Sequence, residues 1–304
     1  MKRSLPGMTE NFKINRREFI GKSLKSAGGL ALLDVSLPIP NKKQLTVGEI
    51  MDFVLKEGAL TPMKSTVDTL KSGSADQVVN GIVTTMFATI GVIEHAVKRN
   101  ANFIIAHEPT FYNHSDNPDW VKDNSVTKKK MELLDKHKIA VWRFHDYCHA
   151  LKPDAVSYGV AKKAEWLPYY KTGEVILSIP QLSLQQLVQH LKSSLGISHV
   201  RIIGDPAQKC ERIALLPGAW GGQRQVSAVE TQKPDVLIVG ELSEWETAEY
   251  IRDSKSFGGK TSLIILGHSV SEEPGMEWFG EWLQPKLPEI KISHISSGDP
   301  FTWM

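Results

Sequence analysis

Phe103-Ile104-Ile105-Ala106-His107-Glu108-Pro109 is the stretch on which the fold reading turns. Four consecutive apolar residues fit a strand buried on both faces, as in a parallel sheet, and not the alternation of a half-exposed strand. The same pattern recurs outward along the chain. Strands are expected at 81–87, 102–106, 139–144, 212–216, 235–239, 262–266 and 290–295. Helical spacing separates them at 47–56, 92–99, 126–137, 182–195, 226–231, 246–253 and 276–287. Short apolar strands alternating with helices predict an α/β fold of two related layers with mainly parallel strands. The expected organisation is a tail at 1–43, a first α/β half at 44–170 and a second at 171–304.

In open α/β sheets, ligands bind beyond the carboxyl ends of the strands. The residues that follow each apolar run are therefore the ones to read. His107-Glu108-Pro109 follow the first run, and His145-Asp146-Tyr147-Cys148-His149 follow Val141-Trp142-Arg143-Phe144. Gly267-His268 and Glu272 follow Leu263-Ile264-Ile265-Leu266, while Glu241 and Glu244 follow Leu237-Ile238-Val239-Gly240. Four of the ten histidines stand at these ends, each near a carboxylate. A histidine and carboxylate cluster with no thiolate majority suits a divalent metal at a hydrolytic site, with Cys148 as a soft ligand or, by preference, a small buried side chain. Glu241 and Glu244 are the catalytic candidates, to orient substrate or move protons.

Composition limits the alternatives. The chain has 304 residues with 41% apolar and 23% charged residues, an ordinary globular composition. Two cysteines cannot build a disulfide framework or a four-Cys zinc module, although a single Cys148–Cys210 pair stays open. The net charge of +2 is uneven: residues 1–43 carry nine Lys/Arg and three Asp/Glu, the remainder 27 basic and 31 acidic groups. A slightly acidic body is a poor partner for nucleic acid. The basic tail contains Asn15-Arg16-Arg17-Glu18-Phe19-Ile20-Gly21-Lys22, which resembles a twin-arginine export motif, and a weakly apolar stretch at 27–33 follows. Export to the periplasm is the expectation, with a cytoplasmic protein as the alternative. No segment is expected to span a membrane. No Walker loop, G-x-G-x-x-G after a strand or G-x-S-x-G elbow is present. Lys128-Lys129-Lys130 reads as a solvated helix face, Trp142, Trp166, Trp278 and Trp282 as core, and Trp220 and Trp245 as pocket candidates.

The joint pattern resembles the Nif-three-like (Ngg-one-interacting-factor-three-like) dinuclear metal-centre family over residues 45–304. Gly267-His268 and Glu272, Leu215-Leu216-Pro217-Gly218-Ala219-Trp220-Gly221-Gly222 and Ser297-Gly298-Asp299-Pro300-Phe301 carry the likeness. The family places a second histidine where this chain has Glu108, and an aspartate where it has His149. The family also offers an aspartate where Phe87 stands here. The resemblance thus implies a metal set of His107, Glu108, His149, His268 and Glu272 between the two halves, three histidines and two carboxylates as in the family. It makes Asp146 a further ligand or a partner for a histidine N–H, and gives His145 and His114 the same outer roles. The resemblance implies two divalent ions, Zn, Fe or Mn, bridged by Glu272 or Glu108, with a single ion as the alternative. It also implies a ring-shaped homo-oligomer and a catalytic centre acting on a small molecule of unknown identity. The expected function is a metal-dependent hydrolase; the alternative is a non-enzymatic metal-binding or ring-assembly protein.

Overall fold

A computed structural model describes residues 44–304. The export reading at Asn15–Lys22 lies outside the described residues. In chain order the elements are α1 (Val47–Glu57), β1 (Leu70–Ser72), β2 (Gly81–Thr85), α2 (Ile90–Lys98), β3 (Phe103–Ala106), α3 (Ser125–Lys136), β4 (Ala140–Arg143), α4 (Asp146–Ala150) and α5 (Ala155–Lys163). There follow β5 (Ile176–Ser183), α6 (Leu184–Leu195), β6 (Arg201–Ile203), β7 (Lys209–Leu216), α7 (Gly222–Gln232), β8 (Val236–Val239), α8 (Glu249–Ser256), β9 (Ser262–Ile265), α9 (His268–Leu283) and β10 (Lys291–His294).

The strands form two five-stranded sheets, β1-β4-β3-β2-β10 and β5-β7-β8-β9-β6. Strands β10, β2, β3 and β4 run parallel, as do β7, β8 and β9. Strands β1, β5 and β6 pair antiparallel at the edges. Every residue of β2, β3, β4, β8 and β9 is buried, because helices cover both faces of each sheet. The mixed α/β expectation is met, with the edge strands added to it. These edges are short or partly exposed, so they lack the apolar runs by which the central strands are read.

The end of the chain crosses back to the first sheet. Strand β10 pairs with β2, and Met276, Phe279 and Leu283 of α9 lie in the core beside β3 and β4. A boundary at residue 170 therefore does not divide the sheets cleanly, since the last residues complete the first one. Helix α9 begins at His268, eight residues before the start expected at 276. Pro274 and Gly275 sit inside the helix. A Cβ on Gly159 of α5 would overlap the Pro274 carbonyl, and one on Gly275 would lie 2.7 Å from Val156 Cα. The two glycines thus let α5 and α9 cross backbone to backbone.

Local chemistry fixes several helix starts. Thr46 and Glu49 cap α1 reciprocally, the Thr46 hydroxyl accepting from the Glu49 amide and the Glu49 carboxylate from the Thr46 amide. Ser183 and Gln186 do the same for α6. Lys130 departs from its expected place: it is buried, and its ammonium donates to the Thr110 carbonyl at 2.8 Å beneath the Tyr112 ring. Cys148 and Cys210 are buried free thiols in separate core clusters. Among the described residues no helix is long and apolar enough to cross a membrane.

Candidate metal centre

The carboxyl ends of β3, β4, β8 and β9 open onto one cavity of about 1630 Å³. The strand ladders continue into the loops that bear the site. The His107 and Glu108 amides donate to Thr85 and Met86 carbonyls at 3.1 and 2.9 Å. The Gly267 amide reaches the Gly240 carbonyl, and the Glu241 amide the Gly218 carbonyl. His107, Glu108, Gly267 and Glu241 are thereby held by backbone as well as by side chains.

Asp68 builds the second strand end. Its buried carboxylate accepts the amides of His145, Asp146 and Tyr147 at 2.8–3.0 Å, which nucleates the single turn of α4. His145 and His149 lie one turn apart there, and the His149 amide donates to the His145 carbonyl. Helix α9 supplies His268 and Glu272 from its first turn, four residues apart and facing the same way.

These elements bring two groups of ligand atoms together. One ligand atom each from His107, His145 and His149 lie within 4.8 Å of one another, and so do those from His107, Glu108 and Glu272. His268 Nε2 stands 3.0 Å from Glu272 Oε2 and 3.5 Å from Glu108 Oε1. His107, fully buried, donates Nδ1–H to the Phe144 carbonyl at 3.1 Å and leaves Nε2 without a hydrogen-bond partner. An orphaned buried nitrogen facing carboxylates is what a divalent cation would satisfy. Gly218 leaves room for this arrangement: φ is +76° there, and a Cβ would overlap the Glu272 carboxylate.

The ionisation states follow from this crowding. Burial penalises the Glu272 carboxylate, yet His107 and His268 overcome that penalty and hold its pKa well below the carboxylate range. Burial likewise opposes the charge of Glu108, and His268 beside it lowers the pKa. Burial alone would lower His268, but Glu108, Glu241 and Glu272 push it up to about 12. Burial, joined by His107, pushes His145 down to about 4, which leaves its imidazole neutral. Fully buried Arg143 sets its Nη2 3.3 Å from Glu108 Oε2 and gives Nε to the His107 carbonyl and Nη1 to the His114 carbonyl.

His107, Glu108, His149, His268 and Glu272 thus lie together in space. His145, expected in an outer role, lies in one of the two groups, beside His107 and His149. Asp146 stands outside both groups: its carboxylate takes the His145 Nδ1 at 2.9 Å and the Thr66 hydroxyl and Val67 amide. His114 lines the cavity with its ring 5.5 Å from that of His145. Glu241 lies at the rim, its Oε2 3.3 Å from His268 Nδ1. Glu244 is instead paired with Arg201 at 2.6 Å and is not on the cavity wall. Trp220 and Phe87 line the cavity, whereas Trp245 is 80% exposed away from it.

Four contributors escape a reading based on strand ends. Asp68 and Arg143 carry no metal-ligand signal, the first in a loop and the second inside a strand. Asp154 accepts the His149 Nδ1 at 3.0 Å while capping α5. Gln225 donates to the Glu241 carbonyl at 2.9 Å and accepts the Thr247 hydroxyl at 2.6 Å, which anchors the Glu241 loop.

Known proteins share this architecture. A protein of Clostridium acetobutylicum named GTP cyclohydrolase 1 type 2 homolog is 24% identical over 235 residues, 74% of this chain and 84% of that protein. The crystal structure of Staphylococcus aureus protein SA1388 matches with a TM-score of 0.68 at 20% identity, covering 86% of this chain and 99% of that one. Reduced HcgD from Methanocaldococcus jannaschii matches with a TM-score of 0.59 at 18% identity, covering 83% and 98%. The family model Duf34/NIF3 (NGG1p interacting factor 3) matches residues 61–300, nearly all of the described chain, and the protein therefore belongs to that family.

Proposed function

We propose that the protein is a divalent-metal-dependent hydrolase with a dinuclear centre held by His107, Glu108, His145, His149, His268 and Glu272. The observation that carries this reading is His107 Nε2, buried without a hydrogen-bond partner 3.5 Å from Glu272 Oε2, in a group with Glu108 and near three further imidazoles. The donor set suits Zn, Fe or Mn. Ions bound there would supply hydroxide near neutral pH by lowering the pKa of a coordinated water.

The remaining chemistry falls to side chains around the cavity. Glu241 is half-exposed at the rim, and its neighbour His268 holds its pKa below the usual carboxylate range. It is ionised at neutral pH and suited to accept a proton from an attacking water and return it to a leaving group. Gln225 and Thr247 keep its backbone in place during that transfer. Arg143 holds Glu108 in register through its second oxygen. The cavity is large enough for a small molecule with a ring system. The relatives' name makes GTP one compound to test, beside phosphate esters and amides. A homo-oligomer and export by the twin-arginine route complete the proposal.

Metal content of protein purified without chelators is the first test, followed by turnover on phosphate-ester, amide and purine-ring substrates. Two ions per chain and turnover that falls 10²–10⁴-fold in Glu241→Gln, with the ions retained, are expected. Metal at background level would sink the proposal. Stoichiometric metal with no turnover on any class would favour the non-enzymatic metal-binding or ring-assembly role.

A further inference from the structure

Lys130 is the one buried lysine among the described residues, with 4% of its surface exposed, and the proposed hydrolysis does not use it. It lines the same cavity as Glu108 and His145. One of its three N–H bonds goes to the Thr110 carbonyl at 2.8 Å, and the other two have no acceptor among the described residues. No carboxylate there lies within ion-pair distance. Asp116 is the one charged group whose field reaches the ammonium. Both Asp116 oxygens are spent on the Thr110 and Phe111 amides, at 2.9 and 2.6 Å. A buried ammonium held by one neutral acceptor costs stability that a leucine at the same helical position would not.

Two further donors stand unused in the same corner. The hydroxyls of Thr110 and Thr127 are buried without hydrogen-bond partners. Thr110 carries the carbonyl that Lys130 bonds, and Thr127 precedes Lys130 by three residues on the buried face of α3. The corner is preset. Arg143 grips the His107 and His114 carbonyls on either side of Thr110, and Trp120 Nε1 donates to the Phe111 carbonyl at 3.2 Å. Tyr112 places its ring 5.2 Å from the ammonium and holds φ at +67°, a costly backbone conformation for a bulky residue. An ammonium and two hydroxyls are all donors, and an oxyanion is what satisfies them together. Thr110 follows Glu108 by two residues, about 7 Å of extended chain, so an oxyanion here and a reacting bond at the metals fit within one small molecule.

We infer that Lys130, Thr110 and Thr127 form an oxyanion subsite of the cavity, which takes a phosphate or carboxylate group of the substrate away from the metals. Its role as a substrate subsite rests on the metal-centre reading above, whereas the anion contact is tested apart from it. The substrate class is then a small molecule with two polar ends, a bond cleaved at the metals and an anionic group left intact. Lys130 acts there as a specificity residue, binding charge without moving a proton.

The test is a calorimetric titration with sulfate between pH 7 and 9.5, on the full chain as purified and after chelator treatment. Sulfate keeps its double charge over this range and is a poor metal ligand. One sulfate per chain is expected in both forms. Burial sets Lys130 at about 8, and only its charged form binds, so the affinity should be about 30-fold weaker at pH 9.5 than at pH 7. Burial also lowers Lys71 of β1, which senses Asp116 and Arg143, and Lys130→Arg tells the two lysines apart. With the charge fixed, binding should remain and its pH dependence vanish. Lys130→Met should abolish binding, and Thr127→Val should weaken it about tenfold. Tighter sulfate than acetate would mark a phosphate group, and the reverse a carboxylate. Sulfate bound equally by Lys130→Met, or bound only while metal is present, would overturn the subsite. So would an unaltered chain that binds no sulfate or binds it equally across this pH range, and these outcomes stand even where a variant fails to fold. Metal at background level in a chain that binds sulfate through Lys130 would instead remove the hydrolase reading and leave the anion contact.

Discussion

Replacing Arg143 with methionine removes a buried cation and leaves its partner behind. Arg143 and Glu108 side chains are 0% and 8% exposed, with Nη2 and Oε2 3.3 Å apart. The guanidinium also donates to the His107 and His114 carbonyls, which lose those bonds together. Breaking a buried pair by deleting one member costs about 3–5 kcal/mol, and His268 near Glu108 Oε1 offsets only part of the stranded charge. At roughly 2–4 °C per kcal/mol for a protein of this size, Arg143→Met should lower Tm by roughly 6–20 °C in the metal-free protein. Glu108→Gln in the same chain removes the stranded charge, so the double variant should recover about half of the loss. Metal at about 100 times its Kd should return about 2.7 kcal/mol wherever the site still binds it. Urea unfolding of the single and double variants, with and without chelator, measures each quantity. A loss under about 1 kcal/mol in the metal-free single variant, or a double variant no more stable than the single, would refute the role given to this pair.

Gly218→Ala should cost more than Gly258→Ala, since both have positive φ (+76° and +86°) but only the first Cβ meets a neighbour, the Glu272 carboxylate. Metal content should fall only in Gly218→Ala; equal effects would deny the cradle its purpose. Burial holds Lys130 down to about 8 against an ordinary 10.5, so between those pH values the unfolded chain binds a proton that the native one does not. This group therefore makes stability rise with pH, and Lys130→Met should remove roughly 3 kcal/mol of that rise between pH 7.5 and 10.5 in urea titrations. An unchanged slope would place the ammonium in water. Arg16→Lys with Arg17→Lys should leave the full-length chain in the cytosol on cell fractionation; unaffected export would discard the twin-arginine reading.

What the sequence discloses here depends on whether a residue acts through its neighbours in the chain. Strands β2, β3, β4, β8 and β9 are buried at every position and mostly apolar because both faces are covered, so short apolar runs mark them. Their carboxyl ends then point to His107, Glu108, His145, His149, His268 and Glu272, and the family resemblance chooses among these. Strands β1, β5 and β6 exist through antiparallel pairing with distant partners, and no local run announces them. The same division holds in the site. Asp68 lies 77 residues before His145 in sequence, and Gln225 lies 16 before Glu241, so their service to the ligand loops is purely tertiary. Lys130 follows two exposed lysines in a helix and is buried only because the loop bearing Thr110 and Tyr112 folds over it.

The crossing of the chain between sheets explains why the site needs both. Strand β9 belongs to the second sheet, yet α9, which follows it, packs its far end into the core of the first and leads to β10 beside β2. His268 and Glu272 therefore sit on the first turn of an element whose position is fixed at one end by β9 and at the other by α5 and the first sheet. His107, His145 and His149 come from the first sheet alone. An ion held by Glu272 and His107 together would clamp the two sheets at the point where the chain crosses, so its binding energy would appear as cooperative stability of the whole body and not of one half. The measurable consequence is a single unfolding transition in the loaded protein, with metal removal destabilising the β9–α9 junction first. Hydrogen exchange in Gly267–Glu273 should accelerate on chelation while β2 and β3 stay protected. Uniform acceleration across both sheets, or none at the junction, would break the link drawn here between the crossover and the metal.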